Sequence, residues 1–122
     1  MAVATKKTNI TKAINELVYK MTSGTIEYQP STAMDINDGL CDQFAGVIER
    51  QFEEAKALWG DELTKEFWET DDDDWITHHA PYHCFIVFRG KYYDSESPEG
   101  VDHPIDLFYY QRELENIKRY SR

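Results

Sequence analysis

The chain has 122 residues, with 13 Lys plus Arg against 23 Asp plus Glu, a formal net charge of -10 and 41% hydrophobic residues. Such a length suits one compact domain with one core and excludes two domains of ordinary size, while 14% aromatic residues argue against a chain that stays disordered. An acidic surface repels nucleic acid and anionic membrane, so a basic protein partner fits better than either, and a solvated surface needs fewer assumptions than mimicry of DNA phosphates.

No apolar run follows Lys6 and Lys7, and nowhere do roughly 20 apolar residues stand together as a bilayer span requires, so a cytoplasmic location is expected. Cys41 and Cys84 are too few for a disulfide scaffold and are expected to stay thiols.

From Thr8 to Thr22, Ile10, Ala13, Ile14, Leu17, Val18 and Met21 recur at three- and four-residue spacing, which predicts a helix capped by Thr8 or Thr11 and ended by Ser23-Gly24. Thr25 to Tyr28 is too short to assign, and Pro30-Ser31-Thr32 reads as a loop. Asp35, Asn37, Asp38 and Gly39 are turn and cap residues standing before Leu40, Cys41, Phe44, Val47, Ile48, Phe52 and Ala55, so a second helix is expected to begin close to Cys41, with the cysteine in its first turn. A short third helix is expected between Trp59 and Trp75, where Leu63, Phe67 and Trp68 stand among charges, and Asp71 to Asp74 reads as a solvated loop. His83 to Phe88, then Arg89-Gly90-Lys91, then Tyr92-Tyr93-Asp94 reads as a β-hairpin; Ser97-Pro98-Glu99-Gly100 breaks the chain, and Leu107 to Tyr120 is helical with Leu114 and Ile117 inward. Helices first, then strands, then a helix predict a small α+β domain over 1–122, its N-terminal helices packed on a short antiparallel sheet.

A thiol attacks only as thiolate, and the unpaired N–H groups at a helix start favour negative charge, both on a thiolate at Cys41 and on the oxyanion that its attack creates. The nucleophile also needs an imidazole to take its proton and a third group to orient that imidazole; His83 opens one strand and Asp94 lies on the next. Strand alternation puts His83, Phe85 and Val87 on one face and Cys84, Ile86 and Phe88 on the other, so Cys84 is expected to point away from the site as a core residue.

The segments Asp38-Gly39-Leu40-Cys41-Asp42-Gln43-Phe44-Ala45 and His83 to Asp94 resemble the papain-like and transglutaminase-like cysteine-site superfamily, in which a Cys starts a helix, a His starts a strand and an Asp or Asn follows on the next strand. Ser95 to Val101 further resembles small bacteriophage and prophage proteins with this pattern, the likeness running roughly from Asp35 to Asp106. The resemblance implies a papain/transglutaminase-like core with Cys41 as nucleophile, His83 as general base and acid, and Asp94 as orienting carboxylate; for a phage-encoded chain it implies the host cytoplasm. Papain-like enzymes place an oxyanion-hole Gln shortly before the Cys; the nearest upstream amides here are Asn37 and Gln29, at another spacing.

The function expected is a cysteine-dependent acyl-transfer enzyme (peptidase, amidase, deamidase or transglutaminase-like) acting on a protein or a small amide or thioester substrate, with no metal or organic cofactor. The alternative is a catalytically inactive acidic binding protein of phage type that occupies and inhibits a host protein. A metal site at His78, His79, His83 and Cys84 has poor spacing because Pro81 interrupts it, and Asp71 to Asp74 lacks the spaced oxygens, Gly and closing Glu of a calcium loop.

Overall fold

The computed structural model describes residues 9–23, 30–68 and 79–120. Helix α1 (Ile10–Thr22) buries Ile10 and Ile14, and its cap is Asn9, whose side chain accepts the Lys12 N–H at 3.0 Å, in place of Thr8 or Thr11. Helix α2 (Ala33–Asn37) occupies residues that read as turn and cap. A capping box between Thr32 and Asp35 closes this single turn and turns Ile36 and Asn37 inward. Helix α3 (Cys41–Gln51) begins at the expected cysteine and buries Cys41, Phe44, Ala45 and Ile48; it stops before Phe52 and Ala55, which are buried outside the helix.

Strand β1 (Lys56–Trp59) follows, then a 3-10 turn at Gly60–Glu62 and the short helix α4 (Lys65–Trp68). Of the stretch from Trp59 to Trp75, in which a short third helix is expected, the described residues 59–68 hold the end of β1, a 3-10 turn and the short helix α4, so a strand precedes the last of the early helices. A further 3-10 turn (Ala80–Tyr82) leads into β2 (Cys84–Phe88), β3 (Lys91–Asp94) and β4 (Ser97–Val101), and after Pro104–Asp106 the chain ends in α5 (Phe108–Tyr120). The sheet order is β1-β2-β3-β4 with every neighbouring pair antiparallel. The chain is thus α+β, with helices on a four-stranded antiparallel sheet.

Arg89 and Gly90 have φ of 50° and 80°, the pattern of a two-residue type I′ hairpin, so Lys91 already belongs to β3. Strand β4 contains the Pro and Gly that read as a chain break. It lies at the sheet edge, where Pro98 removes no needed ladder bond, and Gly100 (φ 84°) passes so close to Tyr93 that a Cβ would stand 2.7 Å from its ring.

Two cores flank the sheet. Ala57, Cys84, Ile86, Phe88 and Tyr93 pack with α1, α2 and α3, whereas Leu58, Phe85, Val87, Tyr92 and Val101 pack with Trp68 and α5. Leu114 and Ile117 lie on the inner side of α5 as expected. Among the described residues no helix is long and apolar enough to cross a membrane.

Candidate active site

Cys41 is the first residue of α3, and no side chain caps that helix. The earliest intrahelical bond runs from Phe44 N–H to Leu40 O at 2.9 Å, which leaves the N–H groups of Cys41, Asp42 and Gln43 at the helix start without an intrahelical acceptor. Asn37, on the turn before, is engaged elsewhere: its amide donates to Glu96 Oε1 at 2.8 Å. Gln29 lies outside the described residues, as do Thr25 to Tyr28, Asp71 to Asp74, Trp75 and His78.

His83 closes the 3-10 turn and precedes β2; Asp94 ends β3. Antiparallel pairing of Ile86 with Tyr93 brings the two residues to the same end of the hairpin, and His83 Nε2 meets Asp94 Oδ2 at 2.8 Å. Asp94 Oδ1 accepts the Glu96 and Ser97 N–H groups at 3.0 and 2.9 Å, so one carboxylate both caps the β3–β4 turn and holds the imidazole. Ionised, that carboxylate can only accept, which puts the proton of a neutral His83 on Nε2 and leaves Nδ1 as the basic nitrogen.

Among the described residues His83 Nδ1 is the buried side-chain nitrogen or oxygen with no hydrogen-bond partner. The group beside it is the Cys41 thiol. Burial alone lowers the pKa of His83, but hydrogen bonding and charge from Asp94 and from Cys41 outweigh it, and the net direction is upward from 6.5. The Cys41 thiol acts on the imidazole by hydrogen bonding and charge, and bonds between a nucleophile and its base commonly tighten only when substrate arrives. The structure therefore brings all three expected site residues together. His83 is 0% exposed, Asp94 2% and Cys41 7%.

Aromatic rings fix the imidazole plane. Tyr109 stacks on it with centroids 4.0 Å apart and planes 12° off parallel, while Tyr110 meets it edge-on at 5.5 Å. Tyr110 in turn donates to Ala80 O at 2.7 Å. A second framework ties the segment before Cys41 to the turn that holds Asp94: Glu96 accepts from Asn37 and makes a two-point pair with Arg112 at 2.8 and 2.9 Å. These supporting residues escape sequence reading, because Tyr109-Tyr110 reads as core filling and Arg112-Glu96 has no local spacing to betray it.

Cys84 departs from the expected arrangement. It is buried as predicted, but it shares the helix-side core with Cys41 rather than pointing away from it. Burial first, then the charge of Cys41, pushes its thiol up to about 12. The alternation was read correctly; the site spans the end of the sheet, so that Cys41 comes from one side and His83 from the other. His79 pairs with Glu113 at 3.2 Å, and His103 caps Pro104–Asp106 by accepting the Ile105 N–H.

Raised in the fold, His83 binds its proton more tightly than in the unfolded chain. The stability it contributes is complete below about pH 6.5 and is lost as pH rises through its folded pKa. The thermal midpoint of the wild type, measured relative to His83→Gln, is therefore expected to fall as pH is raised from about 6.5 toward 9. A flat difference would mean that the imidazole gains no proton affinity on folding.

The fold and site define an α+β chain that sets a cysteine, a histidine and an aspartate in one buried arrangement at the end of an antiparallel sheet. No family model, curated protein or solved structure matches the chain.

Proposed function

We propose that the chain is a cysteine-dependent acyl-transfer enzyme with a papain- or transglutaminase-like arrangement, acting in the cytoplasm on an amide or thioester. One observation carries this reading: His83 meets Asp94 through Nε2 at 2.8 Å, its Nδ1 is buried with no nitrogen or oxygen partner, and the Cys41 thiol is near enough to act on the same ring. A buried ring nitrogen without a nitrogen or oxygen partner calls for a reason, and a thiol that gives it a proton supplies one.

In the proposed reaction the Cys41 S–H proton passes to His83 Nδ1 and the sulfur attacks the substrate carbonyl carbon. The new C–S bond places negative charge on the carbonyl oxygen, which the N–H groups at the start of α3 are placed to receive. Collapse breaks the bond to the leaving amine or thiolate, which takes the proton from Nδ1, and a thioester on Cys41 remains. Water or an amine then attacks that thioester, giving its proton to Nδ1, and the thiol is released. Which acceptor arrives decides between hydrolysis, deamidation and crosslinking.

Brief incubation with S-acetyl-N-acetylcysteamine is expected to add one acetyl group to Cys41, seen by intact and peptide mass spectrometry, and the adduct is expected to discharge on standing. Asp94→Asn is expected to acylate about 100-fold more slowly while remaining folded. Its oxygen still accepts the Glu96 and Ser97 N–H groups, but its NH2 faces Nε2 and forces the imidazole proton onto Nδ1, where it can no longer accept from sulfur. Equal rates in the two proteins would separate Asp94 from the chemistry.

The burial of the three residues favours a second reading, a non-catalytic acidic protein that binds a basic, host-type partner and keeps the scaffold alone. Under that reading no acyl adduct forms on Cys41, and Cys41→Ala leaves the biological effect intact.

A further inference from the structure

A proton taken from the thiol would turn His83 into an imidazolium, and because the side chain is wholly buried, that charge cannot be shared with solvent. Asp94 answers it at Nε2, 2.8 Å away. An imidazolium spreads its charge over the whole ring, however, and one face of this ring is covered by Tyr109, with centroids 4.0 Å apart and planes 12° off parallel. That separation lies well inside the distance of about 6 Å within which an aromatic face attracts a cation, and the attraction grows when water is excluded.

Tyr109 stands in the first turn of α5, and its hydroxyl reaches the carbonyl of Tyr82, the residue before His83, at 3.4 Å. Burial first, then the charge of Glu113, pushes that hydroxyl up to about 12, so at neutral pH the side chain is an uncharged phenol and acts on His83 through its face. Tyr110, the next residue, meets the imidazole edge-on at 5.5 Å and 82°, and its hydroxyl is spent on Ala80 O at 2.7 Å. It frames the ring without stacking on it. Among the described residues the ionisable groups that face His83 are Asp94 from β3, Cys41 from α3, and Tyr109 and Tyr110 from α5. Arg112 also lies over the Tyr109 ring, 6.0 Å from its centroid, but its charge is met by the two-point pair with Glu96 at 2.8 and 2.9 Å.

We propose that Tyr109 is a positioning residue of the Cys41 site that acts through His83: its electron-rich face holds the imidazolium more strongly than the neutral imidazole, and so makes His83 a better acceptor for the thiol proton. The role rests on the reading of His83 as the base for Cys41, and its test separates the two. A ring kept for packing alone would favour both protonation states alike, and the electron density of its face would not matter to the proton.

Phenylalanine and its 4-fluoro, 3,5-difluoro and 3,4,5-trifluoro forms, placed at position 109 by codon suppression, keep the shape of the ring while draining charge from its face. In Cys41→Ala the imidazole titrates without the thiol. There the pH midpoint of the His83 Cε1 signal, read by NMR, is expected to fall stepwise along the series, by about 1 from phenylalanine to the trifluoro ring, while the His79 and His103 signals stay in place as controls. With Cys41 present, its carbamidomethylation at pH 7 is expected to slow in step, about tenfold at the end of the series, and Tyr109→Phe to stay within about twofold of the wild-type rate. A His83 midpoint that does not move along the series overturns the proposal, whatever becomes of the acyl-transfer reading. A graded midpoint with a flat Cys41 rate, while His83→Gln still slows labelling, overturns it too, because the ring would then hold the imidazolium without serving the proton transfer. If His83→Gln itself leaves the Cys41 rate unchanged, the base and the acyl-transfer reading fall, and the role of Tyr109 falls with them.

Discussion

Carbamidomethylation of Cys41 at pH 7 is expected to slow by about 100-fold in His83→Gln, the size of effect that a positioned general base supplies. Glutamine is chosen because its NH2 can still donate to Asp94 from nearly the same place, whereas alanine would open a cavity among Phe85, Tyr109 and Tyr110 and leave an unpaired carboxylate. Glutamine has no basic nitrogen to take the thiol proton. Cys84 serves as the control inside the same molecule: with its thiol pushed up to about 12, only about one part in 100,000 is thiolate at pH 7, so it should stay unlabelled in both proteins. Peptide mass spectrometry over a time course gives both rates at once. Equal rates at Cys41 would mean that the imidazole does not take the thiol proton and that Cys41 is an ordinary buried small residue.

The second large effect is on stability and comes from a glycine. A Cβ at Gly60 would stand 1.8 Å from Ala80 O and 2.6 Å from the Tyr110 hydroxyl. Neither can give way cheaply: the carbonyl is backbone and accepts the Tyr110 O–H at 2.7 Å, while Gly60 itself donates to His83 O at 3.1 Å and accepts from the Trp68 indole at 3.1 Å. Gly60→Ala is therefore expected to cost about 3–5 kcal/mol, a fall of more than about 10 °C in the thermal midpoint. Gly39→Ala is the comparison, since nothing lies within 4 Å of its added methyl and its φ is not positive; it should change stability by less than about 0.5 kcal/mol. Calorimetry of the two variants checks the contrast. Similar midpoints would mean that the 3-10 turns at Gly60 and Ala80 shift apart without loss.

Where the apolar period was long and unbroken, the sequence showed the element. Ile10 to Met21 predicted α1, and the run from Leu40 predicted a helix with Cys41 in its first turn. The hairpin read across Arg89-Gly90-Lys91 set His83 and Asp94 near the same end, so their pairing was legible although the turn itself is one residue shorter. Strand β1 was hidden because Lys-Ala-Leu-Trp has no β-branched residue and continues the period of the preceding helix. Strand β4 was hidden by Pro98 and Gly100, residues that end most strands and are tolerated here by an edge position and a close ring. Helix α2 is a single turn defined by its cap rather than by an apolar stripe. The supports of the site were illegible for a different reason: Tyr109 over His83 and Arg112 on Glu96 join positions far apart in sequence, and only the packing of α5 brings them together.

The burial of Cys84 in the same core as Cys41 gives the molecule two chemical clocks that run on different states. Unfolding removes both the burial and the neighbouring charge that suppress Cys84, and its thiol returns to ordinary reactivity. Any modification of Cys84 under native conditions then counts excursions that open the core, while modification of Cys41 counts events in the closed protein. With excess reagent the slow clock approaches the opening rate itself; with less it reports the opening equilibrium. The pair of cysteines thus allows the breathing of the fold and the reactivity of its site to be timed separately in one tube, without an introduced probe.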